Sequence, residues 1–188
     1  MKRVYGWRMG AVKVDVPHVV QREDHTCGAA ALLAVCRHFG VGPDDEPAIV
    51  RDMELPLDGA DPVHLLRAIR TYGLSYEETR GMTEAALRAS LDAGHPVLLT
   101  LQAWGEGHWV VAIGYDERGV HVEDPWLEDG RGFFGWRALA NRWHDIEGRP
   151  PRPLVRYGLA VWASPRRSTA ARRAGRRSAR SSTRTRSR

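Results

Sequence analysis

The chain has 188 residues, with 28 Lys and Arg against 23 Asp and Glu and a formal net charge of +5. That length suits one domain with a substantial hydrophobic core and is short for two. The charge is unevenly placed: ten arginines and no acid follow Ala163, so the body before them carries −5. No run of about 18 apolar residues is present to span a membrane. The opening MKRVYGWRMGAVKVDV has charges where a signal peptide needs an unbroken apolar stretch. A cytoplasmic protein is expected. Two cysteines, Cys27 and Cys36, without a CxxC pair or a Cys/His cluster, leave a disulfide framework and a structural zinc site without support. Neither metal nor other cofactor is expected.

In chain order, VKVDVP at residues 12–17 reads as extended. Residues 27–39 place Leu32, Leu33, Cys36 and Phe39 among alanines and stop at Gly40, the pattern of a buried helix with Thr26 as its N-cap. At 3.6 residues per turn, Cys27 and Cys36 fall on roughly opposite faces. They should not pair, and Cys36 is assigned to the core. Asp61 before Pro62 starts a second helix, with Val63, Leu66 and Ile69 on one face and Gly73 closing it. Thr83 caps a third, AALRASLDA, which ends at Gly94.

After Pro96 the pattern changes to VLLTL, HWVVAIGYD and GVHVEDP, rich in β-branched residues and divided by glycine or charged turn residues. These are expected to be strands, the last two joined by a turn near residues 116–119. Leu139 and Trp143 suggest a short helix, and YGLAVWA before Ser164 a final strand. Helices first and an antiparallel sheet second is the α+β pattern. Residues 1–163 form the expected domain. Residues 164–188, with almost no large apolar side chain and one sign of charge, read as a disordered Arg/Ser-rich tail.

Cys27 sits at a helix start, where the partial positive charge of the helix end favours a thiolate. Gly28 beside it leaves room for a substrate backbone. A thiol nucleophile also needs a base brought from elsewhere in the chain. His108 follows the flexible GEG and opens an otherwise apolar strand. By two-residue alternation Val120, Val122 and Asp124 share a face, and the hairpin would lay Asp124 beside His108, where a carboxylate orients an imidazole. Gln21, six residues before Cys27, can offer a side-chain amide to a developing oxyanion together with the Cys27 N–H. Trp104, Trp109 and Trp126 flank these positions. The other histidines show no mutual metal-ligand spacing; His25 is the one close enough to matter.

The segments VPHVVQREDHTCGAAALLAV, GHPVLLTL, GHWVVAIGYD and VHVEDPW resemble the papain-like cysteine peptidases of the bacteriocin-processing, double-glycine leader family. The resemblance implies a papain-like α+β fold and hydrolysis of a peptide bond through an acyl-enzyme. It implies Cys27 as nucleophile, His108 as general base and acid, Asp124 as the orienting group and Gln21 in the oxyanion hole. The sequence departs from the family at Thr26, where an acid often stands, and contains no transporter domain. A peptide or protein substrate is the expected partner. The arginine tail suggests at most weak, salt-sensitive, non-specific contact with nucleic acid. Two other functions use the same site: a peptide-binding module that does not cut, and an acyltransferase that resolves the acyl-enzyme with an amine or thiol.

Overall fold

Small side chains determine where the first helix runs. α1 (Cys27–Phe39) has ten consecutive buried residues, from Cys27 to Cys36, and its alanines let it lie close against the sheet. It ends at Gly40, whose φ of 63° is the left-handed conformation that a helix stop requires. The computed structural model describes residues 14–164 apart from Trp104; the arginine tail and the first part of VKVDVP lie outside the described residues. Of that last segment, residues 14–17 belong to no strand, although Val14 N donates to Ile113 O at 2.8 Å and Val14 and Val16 are buried.

Two more helices follow. α2 (Glu46–Met53) is capped by Asp45, whose side chain accepts from Ala48 N. α3 (Pro62–Thr71) begins with a capping box between Asp61 and His64. Its buried stripe is Pro62, Leu65, Leu66, Ala68 and Ile69, whereas Val63, expected on that face, is 60% exposed. Each residue turns the helix by about 100°, which carries Val63 past the edge of the stripe set by Leu65 and Ile69.

The chain continues as β1 (Leu74–Thr79), α4 (Glu84–Asp92), β2 (Val97–Ala103), β3 (Glu106–Tyr115), β4 (Gly119–Glu123), β5 (Arg131–Gly135), α5 (Trp136–Arg142), β6 (His144–Glu147), β7 (Arg152–Val155) and β8 (Gly158–Ala163). Six strands form one antiparallel sheet in the order β1-β8-β2-β3-β4-β5, and β6 and β7 form a separate hairpin. Residues 97–101 of β2 are all buried because both faces of the sheet are covered. The α+β architecture expected from the sequence is the one observed.

The β3–β4 hairpin turns where expected: Asp116 N donates to Gly119 O at 2.9 Å, and Asp116 Oδ1 accepts from Arg118 N and Gly119 N. The register shifts between Ala112 and Gly114, a bulge at Ile113, the residue whose carbonyl takes Val14 N. Beyond it Val111 pairs with Glu123. Continuing that register puts Asp124 opposite Val110, on the face His108 shares by alternation.

Candidate active site

Cys27 is the first residue of α1 and only 6% exposed. The loop before it is tied to the sheet, since Gln21 N donates to Pro125 O at 3.0 Å. Thr26 occupies the N-cap position, but its hydroxyl turns back to Glu23, donating to Glu23 O at 2.9 Å and accepting from Glu23 N at 3.1 Å. No side chain caps the helix. The positive end of α1 is thereby left open toward the thiol.

Gly28 has a packing role that the sequence did not reveal. A Cβ there would lie 2.8 Å from Ala60 Cβ and 3.2 Å from the Trp109 ring, so the glycine makes room for protein rather than for substrate. Trp109 Nε1 in turn donates to Ala60 O at 2.7 Å and fixes the 57–61 loop beside the thiol.

His108 comes from the start of β3 and Asp124 from just past the end of β4. His108 Nε2 lies 2.7 Å from Asp124 Oδ1, and both side chains are buried. Asp124 is itself held: its N donates to Gly130 O at 2.7 Å, and its Oδ1 accepts from Trp126 N at 3.0 Å. With Nε2 given to Asp124, the other ring nitrogen is left for Cys27, whose thiol acts on the ring. Burial opposes charge on His108, but the hydrogen bonds and charges of Asp124 and Cys27 outweigh it and carry the imidazole up to about 9. At neutral pH the ring is therefore an imidazolium beside the thiol, the pairing that stabilises a thiolate.

Cys27, His108 and Asp124 are thus brought together, whereas the Gln21 side chain is turned into its own loop. Gln21 Nε2 donates to Glu23 O at 2.9 Å and to Asp24 O at 3.1 Å, and Oε1 is buried without a hydrogen-bond partner. In this arrangement both amide protons are engaged away from an oxyanion. Cys36 is fully buried, and burial pushes its thiol up to about 12, the state of an unreactive core cysteine. Among the described residues no His, Cys, Asp and Glu cluster could hold a metal ion, and no helix is long and apolar enough to cross a membrane.

A cleft of about 500 Å³ opens beside Cys27. Asp24 and His25 form one side, the 57–61 loop another, and Gln102, Gly107, Trp109, Asp145 and Ile146 the third. Trp126 stands outside this lining, 47% exposed next to Asp124, and Trp104 lies outside the described residues. Asp145 and Ile146 were not anticipated from sequence. They arrive on β6, a four-residue strand too short and polar to show a period.

The family model of the Peptidase_C39-like family matches residues 13–150, which include every residue of this site. The chain belongs to that family. Among its relatives, the probable functional amyloid protease FapD of Pseudomonas aeruginosa is 31% identical over 140 residues, 68% of this chain and 57% of FapD. The C39-like chain thus spans little more than half the length of that curated relative. Among solved structures, the peptidase domain of Streptococcus ComA, a bifunctional ABC transporter of a quorum-sensing pathway, aligns with a TM-score of 0.63 at 14% identity, covering 78% of this chain and 97% of that one. A double-glycine motif protease from an AMS/PCAT transporter, in complex with its leader peptide, aligns with a TM-score of 0.62 at 21% identity over 80% and 94% of the two chains. A C39-like peptidase from Bacillus anthracis gives 0.63 at 15% identity over 82% and 98%. At these identities what the C39-like chain shares with them is the papain-like α+β fold.

Proposed function

We propose that this C39-like domain is a cysteine peptidase that hydrolyses a peptide bond through an acyl-enzyme on Cys27. The observation that carries the reading is His108, buried between Asp124 at 2.7 Å and the Cys27 thiol, and held protonated at neutral pH. In this reading the Cys27 thiolate attacks the scissile carbonyl, and the Cys27 N–H at the open end of α1 donates to the oxyanion. His108 gives its proton to the leaving amine, then takes one from the water that cleaves the thioester, and departure of the sulfur restores the thiolate and the protonated ring. Asp124 keeps Nε2 occupied, which holds the ring's orientation through both halves of the cycle. Gln21 joins the oxyanion hole once its amide leaves the Glu23 and Asp24 carbonyls. The substrate is a peptide or protein segment extended in the cleft.

Cys27→Ala is expected to abolish both peptide turnover and labelling by a thiol-directed acylating probe, while Cys36→Ala keeps both. Turnover by the Cys27→Ala protein equal to that of the parent would end this reading.

A further inference from the structure

No lysine or arginine lines the cleft beside Cys27 among the described residues, yet five carboxylate residues reach it: Asp24, Asp58, Asp61, Glu106 and Asp145. Asp58 is paired with Arg149. Asp61 caps α3 and accepts from Gly148 N at 3.0 Å. Asp24 and Glu106 stand on the exposed rim. Asp145 differs from all four. Its Oδ2 accepts from Thr100 Oγ1 at 2.7 Å, and its Oδ1 from Gln102 Nε2 at 3.0 Å and from Ile146 N at 2.8 Å. These donors are neutral, so they fix the carboxylate in place without cancelling its charge. Arg142, the cation at the end of α5, gives its Nη1 to Gln102 O at 3.2 Å instead.

The backbone before His108 is adapted to this carboxylate. A Cβ at Gly107 would lie 2.2 Å from Asp145 Oδ2, so a side chain at that position would expel it. Asp145 therefore lies against the chain one residue from the general base. Leu57, 86% exposed, and Ile146, 65% exposed, line the same cleft and offer apolar surface to the stem of a long side chain. A fixed, half-buried carboxylate flanked by apolar walls suits a guanidinium or ammonium carried on methylenes.

We propose that Asp145 is the specificity carboxylate of the cleft, binding an arginine or lysine side chain of the peptide beside the scissile bond. The inference rests on the peptidase reading of Cys27. It is tested with internally quenched octapeptides in which one arginine is walked through an otherwise glutamine-flanked sequence. They are assayed with the whole chain and with a whole chain whose ten arginines after Ala163 are changed to glutamine, so that no internal arginine competes. Binding of the same peptides is measured by fluorescence anisotropy on Cys27→Ala versions of both proteins, which removes turnover from the readout.

At one position arginine should raise kcat/KM and affinity about tenfold over glutamine, and Asp145→Asn should bring that ratio close to one. Asp24→Asn and Glu106→Gln on the rim should leave the ratio in place. If Asp145→Asn does not fold, the anisotropy series on the Cys27→Ala proteins decides, because the arginine preference must be present there and must weaken with added salt. No preferred arginine position in either readout, a preference that survives Asp145→Asn, or one lost in a rim variant instead overturns the assignment. Neutral peptides cut without arginine preference would sink this inference and leave the peptidase reading standing. Arginine-selective binding with no cleavage of any peptide would do the reverse.

Discussion

The β3–β4 hairpin carries a histidine–carboxylate pair at each end. At the open end His108 Nε2 meets Asp124 Oδ1 at 2.7 Å; at the turn His121 Nε2 stands 3.5 Å from Asp116 Oδ2. The two rings are almost equally shielded from solvent, 5% and 4% exposed, and burial opposes charge on both. They end on opposite sides of the ordinary histidine value. Among the described residues the ring is the one ion-pair partner of Asp124, and with the Cys27 thiol Asp124 carries His108 up to about 9. Asp116 is already held by Arg118 at 2.9 Å, which takes its carboxyl down to about 2. For His121 burial is therefore the largest influence, and with Arg118 repelling a second positive charge it outweighs what Asp116 returns and keeps the ring below 6.5. An acid near a histidine does not make a charged histidine; what else the acid holds decides it.

The largest break in this contrast comes from deleting each ring. His108→Ala should lower kcat/KM for peptide hydrolysis by about a thousandfold or more, whereas His121→Gln should stay within about threefold, since His121 faces Phe133 at 4.9 Å and no reacting group. Comparable losses from both would mean that the hairpin, rather than one pair, supports activity. Next in size, Asp124→Ala should cost about a hundredfold, toward the lower end of what orienting carboxylates contribute. It should also move the pH profile. The His108 pKa is raised, so the stability that its protonated ring contributes is complete below about pH 6.5 and is lost as pH climbs through about 9. Without Asp124 the alkaline limb of kcat/KM should fall from about 9 toward the usual histidine range, and an unmoved limb would remove Asp124 from the role assigned to it.

The smallest effect sharpens the contrast with a third pair. His18 Nδ1 lies 3.4 Å from Glu123 Oε2, and Glu123 is 2% exposed. Burial pushes its carboxyl up to about 7 although Arg131 pulls it back. A raised carboxyl contributes stability in full below the ordinary value of 4.5 and loses it as pH rises through 7. Between pH 5 and 8 the melting temperature should therefore fall in the parent and vary less in Glu123→Gln, with roughly 2–4 °C for each kcal/mol at stake. Parallel curves for the two proteins would assign the buried charge elsewhere.

The sequence made the strongly periodic elements readable: α1 with its Gly40 stop, the buried β2, and the hairpin whose turn at residues 116–119 sets His108 beside Asp124. The remainder escaped for identifiable reasons. β6 and β7 have four residues each, β1 alternates only weakly, and the glycines and paired phenylalanines of β5 show no alternation. α2 was hidden by its mixed DDEPAIVRD sequence, although Asp45 before Glu46-Pro47 is a legible helix start. At the site, the contact of His108 with Asp124 was legible from the hairpin, but the carboxylate wall was not. Asp145 depends on Gly107 giving way and on donors from β2, a relation between strands that no local pattern encodes.

The separation of the two cysteines along α1 has a redox consequence. Nine residues of helix rise about 13 Å, more than twice the usual Cα spacing of a disulfide, and these are the only thiols in the chain. A sulfenic acid formed at Cys27 has no resolving partner among these 188 residues. Its rescue, or its onward oxidation to an irreversible state, is left to whatever small thiol can enter the same cleft as the substrate.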